Sequence, residues 1–123
     1  MSKENPHIYI IDDDEAVRKA LRRLLVSAGY SVDTFYSGAN FLDSVPLDSE
    51  GLILLDIFMP QMDGLTLQKR LNALRYRLGI IFISGFASAE DREQAMALGA
   101  KGFLQKPFSD ESLLELLDKS RDK

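Results

Sequence analysis

The chain contains no cysteine and a single histidine among its 123 residues. Without cysteine there is no disulfide framework, no thiolate nucleophile and no thiolate metal site. With His7 as the lone imidazole, Ser-His-Asp and Cys-His catalysis are nearly excluded. His7 stands at the start of the first apolar run and reads as a surface or strand-end residue. No apolar stretch approaches the ~20 residues of a membrane span. The N-terminus, Met1 to Pro6, lacks the apolar core of a signal peptide. An excess of positive charge is missing too: 15 basic residues face 19 acidic ones, for a net charge of −4. Nucleic-acid phosphates need a basic face, so direct binding to nucleic acid is not expected, nor is a membrane partner. A G-x-x-x-x-G-K-[ST] loop is also absent, which argues against a nucleotide hydrolase. A reducing, cytoplasmic location fits the lack of cysteine.

What remains is ordinary for a globular domain: 46% hydrophobic and 28% charged residues. The length predicts one domain with a single useful core. Short apolar runs at 7–11, 31–36, 52–56, 79–84 and 102–104 alternate with helix-period segments. The third and fourth runs are continuously apolar, as strands buried on both faces are. The second alternates, with Val32, Thr34 and Tyr36 on one side, as an edge strand might. Val17, Leu21, Leu24, Leu25 and Ala28 recur at helical steps, and Gly29 supplies a stop. Ser37 caps a short helix carrying Phe41 and Leu42, which ends before Pro46. Leu67, Leu71 and Leu74 mark a third helix. Ser88, with Asp91 three residues on, starts a fourth, and Gly99 lies past its end. Ser109 caps a fifth that buries Leu113, Leu116 and Leu117, with Lys119, Arg121 and Lys123 suited to its C-terminal end. Five strands, each followed by a helix, predict a parallel sheet with helices on both faces. Ligands of such sheets bind at the carboxyl ends of the strands, beside the switch point in strand order.

Those ends carry the chemistry. The first run stops at Asp12, Asp13 and Asp14, the third at Asp56, the fourth at Ser84, and the fifth just before Lys106. Crowded carboxylates raise one another's pKa unless a cation joins them. A hard divalent ion with oxygen ligands resolves the repulsion, and Mg²⁺ binds one or two carboxylates while keeping waters. A carboxylate can also attack phosphorus and form an aspartyl phosphate. Asp14 and Glu15 read as N-terminal acids of the first helix.

In order and in combination, several motifs resemble the receiver domain of bacterial two-component response regulators. They are the apolar strand closing on Asp12-Asp13; Leu54-Leu55-Asp56 followed by Met59-Pro60 and Asp63-Gly64; Ile83-Ser84-Gly85; and Lys106-Pro107-Phe108. Val17-Arg18 and Lys106-Pro107-Phe108 look most like receivers that precede a helix-turn-helix output domain. The resemblance implies a doubly wound (βα)5 flavodoxin-like fold with strand order 2-1-3-4-5. It implies a single receiver over residues 1–123, core 7–119, with no output domain inside the chain and one in the full-length protein.

It also implies roles. Asp56 is the phospho-acceptor; Asp13 binds Mg²⁺ or Mn²⁺ directly, Asp12 largely through water, and Phe58 through its backbone carbonyl. Lys106 binds the phosphoryl group, and its bond to Pro107 is cis. Ser84 is the hydroxyl switch residue, and Phe103 is the aromatic that turns inward with it. The expected function is a switch phosphorylated by a histidine kinase, not a turnover enzyme, which changes its helix 4–strand 5–helix 5 face to control dimerisation or a transcriptional output domain. Phe58 and Phe86 flank the pocket, where they would hinder an attacking water. The alternative is a small haloacid-dehalogenase-type phosphohydrolase using Asp12 and Asp14, although the usual Gly-Thr after the acids is missing.

Overall fold

The computed structural model describes residues 5–85 and 87–120. Strands β1 (Ile8–Ile11), β2 (Val32–Phe35), β3 (Leu52–Asp56), β4 (Gly79–Ser84) and β5 (Gly102–Gln105) alternate with five helices. The helices are α1 (Glu15–Ser27), α2 (Gly38–Ser44), α3 (Gly64–Ala73), α4 (Ala89–Ala97) and α5 (Asp110–Ser120). All strand pairs are parallel, in the order β2-β1-β3-β4-β5. The expected fold is the observed one.

Strand periodicity separates two cores. Ile8, Ile10, Leu52, Leu54, Ile81 and Ile83 pack with Leu21 and Leu25 of α1 and Leu113 and Leu117 of α5. The intervening residues, Tyr9, Ile11, Ile53, Leu55, Ile80 and Phe82, pack with Phe41 of α2, Leu67 and Leu71 of α3 and Ala95 of α4. A strand buried on both faces has no use for alternation, which is why β1, β3 and β4 read as unbroken apolar runs.

The caps follow the sequence closely. Ser37 Oγ accepts from the Asn40 N–H at 3.0 Å, and Ser109 Oγ from the Ser112 N–H at 3.0 Å. Ser88 and Asp91 form a reciprocal capping box. Arg121 and Lys123, assigned to the basic end of α5, lie outside the described residues.

Two expectations need correction. The alternating face of β2 does not comprise Val32, Thr34 and Tyr36, since β2 ends at Phe35 and Tyr36 is 62% exposed. Val32 and Phe35 are the buried residues, one in each core, so this edge strand contributes to both layers. Leu74 does not continue the stripe of Leu67 and Leu71 either. It is the C-cap of α3 and is exposed, because the chain leaves the helix there through Arg75 at a φ of 66°.

An aromatic cluster closes the α2 side. The Phe41 ring, fully buried, meets Tyr9 at 5.8 Å, Phe35 at 5.3 Å and Tyr76 at 5.8 Å between centroids. The Tyr76 hydroxyl donates to the Val45 carbonyl at 2.6 Å, tying the end of α3 to the end of α2. Phe41→Ala is expected to cost about 3–5 kcal/mol in urea unfolding, with Phe41→Leu losing much less. Equal losses would show that ring contacts contribute little there.

Candidate functional site

β1 and β3 are adjacent, and Ile11 pairs with Leu55. The next residue on each strand is therefore an acid, Asp12 beside Asp56. β1 also borders β2 on its other edge, so this junction is the switch point of the sheet. One carboxylate oxygen from each of Asp12, Asp13 and Asp56 falls within 4.8 Å of the others. Asp12 and Asp56 are buried, and Asp13 is exposed.

Each acid is held differently. Asp12 Oδ1 accepts from the Asp14 N–H at 2.9 Å, and Oδ2 lies 3.4 Å from Lys106 Nζ. The Arg18 guanidinium donates to the Asp12 backbone carbonyl at 2.8 Å. Asp56 Oδ1 accepts from the Phe58 N–H at 3.3 Å, and Oδ2 lies 3.8 Å from Lys106 Nζ. Lys106 thus sits between two carboxylates from two strands. Three acids against one ammonium leave a net negative oxygen-donor set that fits a hard divalent cation.

The loop after Asp56 is folded back by its own backbone. The Gly64 N–H donates to the Ile57 carbonyl at 2.7 Å, and Asp63 caps α3 by accepting from the Thr66 N–H at 2.8 Å. A Cβ on Gly64 would fall 2.4 Å from the Asp56 carbonyl oxygen, so only glycine allows this approach. Phe58, two residues beyond Asp56, has a side chain that is 49% exposed. Phe86 lies outside the described residues.

Ser84 is buried at the end of β4, and its Oγ has no hydrogen-bond partner among the described residues. The Lys106 N–H donates to the Ser84 carbonyl at 2.9 Å, linking the hydroxyl's backbone to the lysine. The Lys106–Pro107 bond is cis. Phe103 is half-buried on β5, its ring 6.0 Å from Phe82 on one side and 5.0 Å from the Arg92 guanidinium carbon on the other. A cavity of about 230 Å³ adjoins it, between Ala87, Ser88, Arg92 and Gln105.

The structure brings Asp12, Asp13, Asp56 and Lys106 together, with Ser84 and Phe103 on the neighbouring strands. It does not join Asp14 to them as a catalytic pair. Asp14 is the N-cap of α1, accepting from the Ala16 N–H at 2.9 Å, and the phosphohydrolase alternative loses its second acid. Arg18 was not foreseen as part of the site. Its side chain spans from the first turns of α1 back to the end of β1, and residue order alone carries no signal for that reach.

Burial pushes the Asp56 carboxyl up from 3.8 to about 6. Lys106 opposes this shift, the Asp12 charge adds to it, the Phe58 N–H opposes it, and Asp13 adds a little. Between pH 3.8 and about 6 the unfolded chain has released this proton and the metal-free native state still holds it. Asp56 therefore favours the native state below that window, and its contribution is lost as pH rises through it. In metal-free protein, Asp56→Asn is expected to gain stability relative to wild type as pH rises from 4 to 7. Urea unfolding of both proteins across that range checks this, and a pH-independent difference would contradict it.

Comparison with known proteins places this geometry. The family model described as "Response regulator receiver domain" matches residues 8–118. The transcriptional regulatory protein FixJ of Bradyrhizobium diazoefficiens is 41% identical over 112 residues, covering 91% of this chain and 55% of that protein. The response regulator protein TodT of Pseudomonas putida is 43% identical over 114 residues, covering 93% of this chain and 50% of that protein. The crystal structure of full-length FixJ from B. japonicum superposes with a TM-score of 0.87 at 39% identity, over 95% of this chain and 58% of that one. The chain spans about half the length of these curated relatives. No helix among the described residues is long and apolar enough to cross a membrane.

Proposed function

The chain belongs to the response regulator receiver domain family, a family of phosphorylation-activated signalling switches rather than turnover enzymes, and from that premise we propose that Asp56 accepts a phosphoryl group from a histidine kinase. The observation that carries this reading is Lys106 held between Asp12 and Asp56, at 3.4 and 3.8 Å, where the two strands end. An Asp56 oxygen attacks phosphorus, the bond from phosphorus to the donor histidine nitrogen breaks, and Lys106 stays beside the transferred oxygens. Asp13, Asp12 and the Phe58 carbonyl would hold Mg²⁺ or Mn²⁺, which supplies positive charge for the phosphoryl oxygens when bound.

Phosphorylation adds about two negative charges. The buried Ser84 hydroxyl, without a protein partner among the described residues, is available to donate to the new acceptor. Phe103, which has no hydroxyl to desolvate, then moves into the space vacated, and the face formed by α4, β5 and α5 changes. One modification biases two packings of the same core.

The relatives are named as transcriptional regulators, and the match spans only 55% and 53% of their length, which supports a longer protein with a transcriptional output domain. In that reading residues 1–123 form one receiver domain with its core at 7–119, acting in the cytoplasm, and the altered face pairs two copies.

Incubation with acetyl phosphate and Mg²⁺ should add ~80 Da by intact mass, and Asp56→Asn should add nothing. Size-exclusion chromatography of the phosphorylated protein should show a dimer; an unchanged mass there would rule out pairing as the output. Phe58 shields the pocket from water, so Phe58→Asn should lose its phosphoryl group faster than wild type. Loss that is unchanged or slower would remove that role.

A further inference from the structure

Asp12 is fixed at every polar atom. Its N–H donates to the Phe35 carbonyl at 3.1 Å, its two carboxylate oxygens meet the Asp14 N–H and Lys106, and its carbonyl accepts from Arg18 at 2.8 Å. Asp13, by contrast, is exposed, yet one of its carboxylate oxygens must share the 4.8 Å cluster with the other two acids. It lies on the short segment that turns β1 into α1. The peptide joining Asp12 to Asp13 is planar, so fixing its carbonyl oxygen also fixes the direction of the Asp13 N–H and Cα. Arg18 makes that bond from the first turn of α1. Its guanidinium presents donors in a rigid planar fork, which an ammonium cannot reproduce.

We propose that Arg18 is a positioning residue for the divalent-ion site: it holds the Asp12–Asp13 peptide so that Asp13 is presented to the ion. This rests on the receiver reading above. Arg18 does not need to touch the ion or the phosphoryl group to act. It removes a rotational freedom from the one acid in the cluster that burial does not immobilise.

Charge and geometry make opposite demands here, which lets them be separated. A guanidinium near a cation site repels the cation, so removing it as a charge alone would tighten metal binding. Removing it as a positioning group weakens metal binding, because the outer hydrogen bonds of a metal site carry much of its affinity. The sign of the change identifies the role.

The test is direct Mn²⁺ titration of the whole protein by electron paramagnetic resonance at fixed ionic strength, with wild type, Arg18→Ala, Arg18→Lys and Arg22→Ala. Arg22 lies one turn further along α1, is exposed, and serves as the equal-charge control. Arg18→Ala is expected to weaken Mn²⁺ binding about tenfold, Arg18→Lys to fall between it and wild type, and Arg22→Ala to bind as wild type or slightly tighter. In metal-free protein, hydrogen exchange at the Asp13 and Asp14 amides should quicken in Arg18→Ala while urea unfolding stays cooperative. Binding by Arg18→Ala that is unchanged or tighter overturns the proposal, as does an equal loss in Arg22→Ala. If wild type binds Mn²⁺ and is phosphorylated on Asp56 while Arg18→Ala matches it, only the role of Arg18 fails. If wild type takes no phosphoryl group at all, the receiver reading itself fails.

Discussion

Two carboxylates lie side by side because two parallel strands end in register, and the rest of the site answers to that constraint. Asp12 and Asp56 follow the Ile11–Leu55 pair directly, so neither can move away without breaking the sheet. Their repulsion is built into the central pairing of the fold. Lys106 reaches both acids and offsets part of it, but one ammonium does not balance three carboxylates. What is left over makes the edge receptive to a cation and, once cations are in place, to an anionic phosphoryl group.

The cost appears in Asp56. Burial and the neighbouring acids hold its carboxyl up near 6, so ionising it without metal works against the native state. A surface aspartate would escape that penalty but would also leave its charge to solvent. Partial burial keeps this carboxylate in a setting where Lys106, and a divalent ion when bound, would act at greater strength than in water. The same economy is visible at Ser84, where a buried hydroxyl lacks a protein partner among the described residues. An unpaired buried polar group costs about 1–3 kcal/mol, and a new acceptor nearby relieves that cost. Stability is thus held in reserve at the two positions where the proposed phosphorylation would act.

Much of this was legible in the sequence because it depends on where strands end. β1, β3 and β4 are buried on both faces, so their apolar runs are unbroken and their last residues are easy to locate. Asp12, Asp56 and Ser84 follow at once, and parallel pairing aligns them. The caps at Ser37, Ser88 and Ser109 were equally plain, since a hydroxyl before an apolar period has few other uses. The edge strand was harder. With one neighbour, β2 has weaker demands on each face, and the pattern Val32, Thr34, Tyr36 suggested a stripe that packing does not use. Arg18 and Arg92 were not assigned their contacts for a different reason. Both are long side chains whose targets, a carbonyl on β1 and a ring on β5, are set by how helices lie on the sheet. Helix periodicity gives the side of the helix, not the reach of a flexible arm.

The packing of α4 would give the proposed event at Ser84 a defined direction. Two amide side chains of α3, one turn apart, hold the C-terminal end of α4: Gln68 Nε2 donates to the Ala95 carbonyl and Asn72 Nδ2 to the Leu98 carbonyl, each at 2.9 Å. Gln68 is fully buried, so breaking its bond would expose nothing to water and would strand another polar atom. The N-terminal end of α4 is secured differently. Ser88 and Asp91 bond to each other's backbone, and Arg92 lies over the exposed side of Phe103. A capping box travels with its helix, and a cation over a half-buried ring is worth only about 0.5–1 kcal/mol. Strain arriving from Ser84 in the proposed switch would therefore meet a fixed point at Ala95 and Leu98 and a yielding one at Ser88 to Arg92. In the proposed switch, displacement would concentrate at the end of α4 that adjoins Phe103, where the cavity beside the ring leaves room for it.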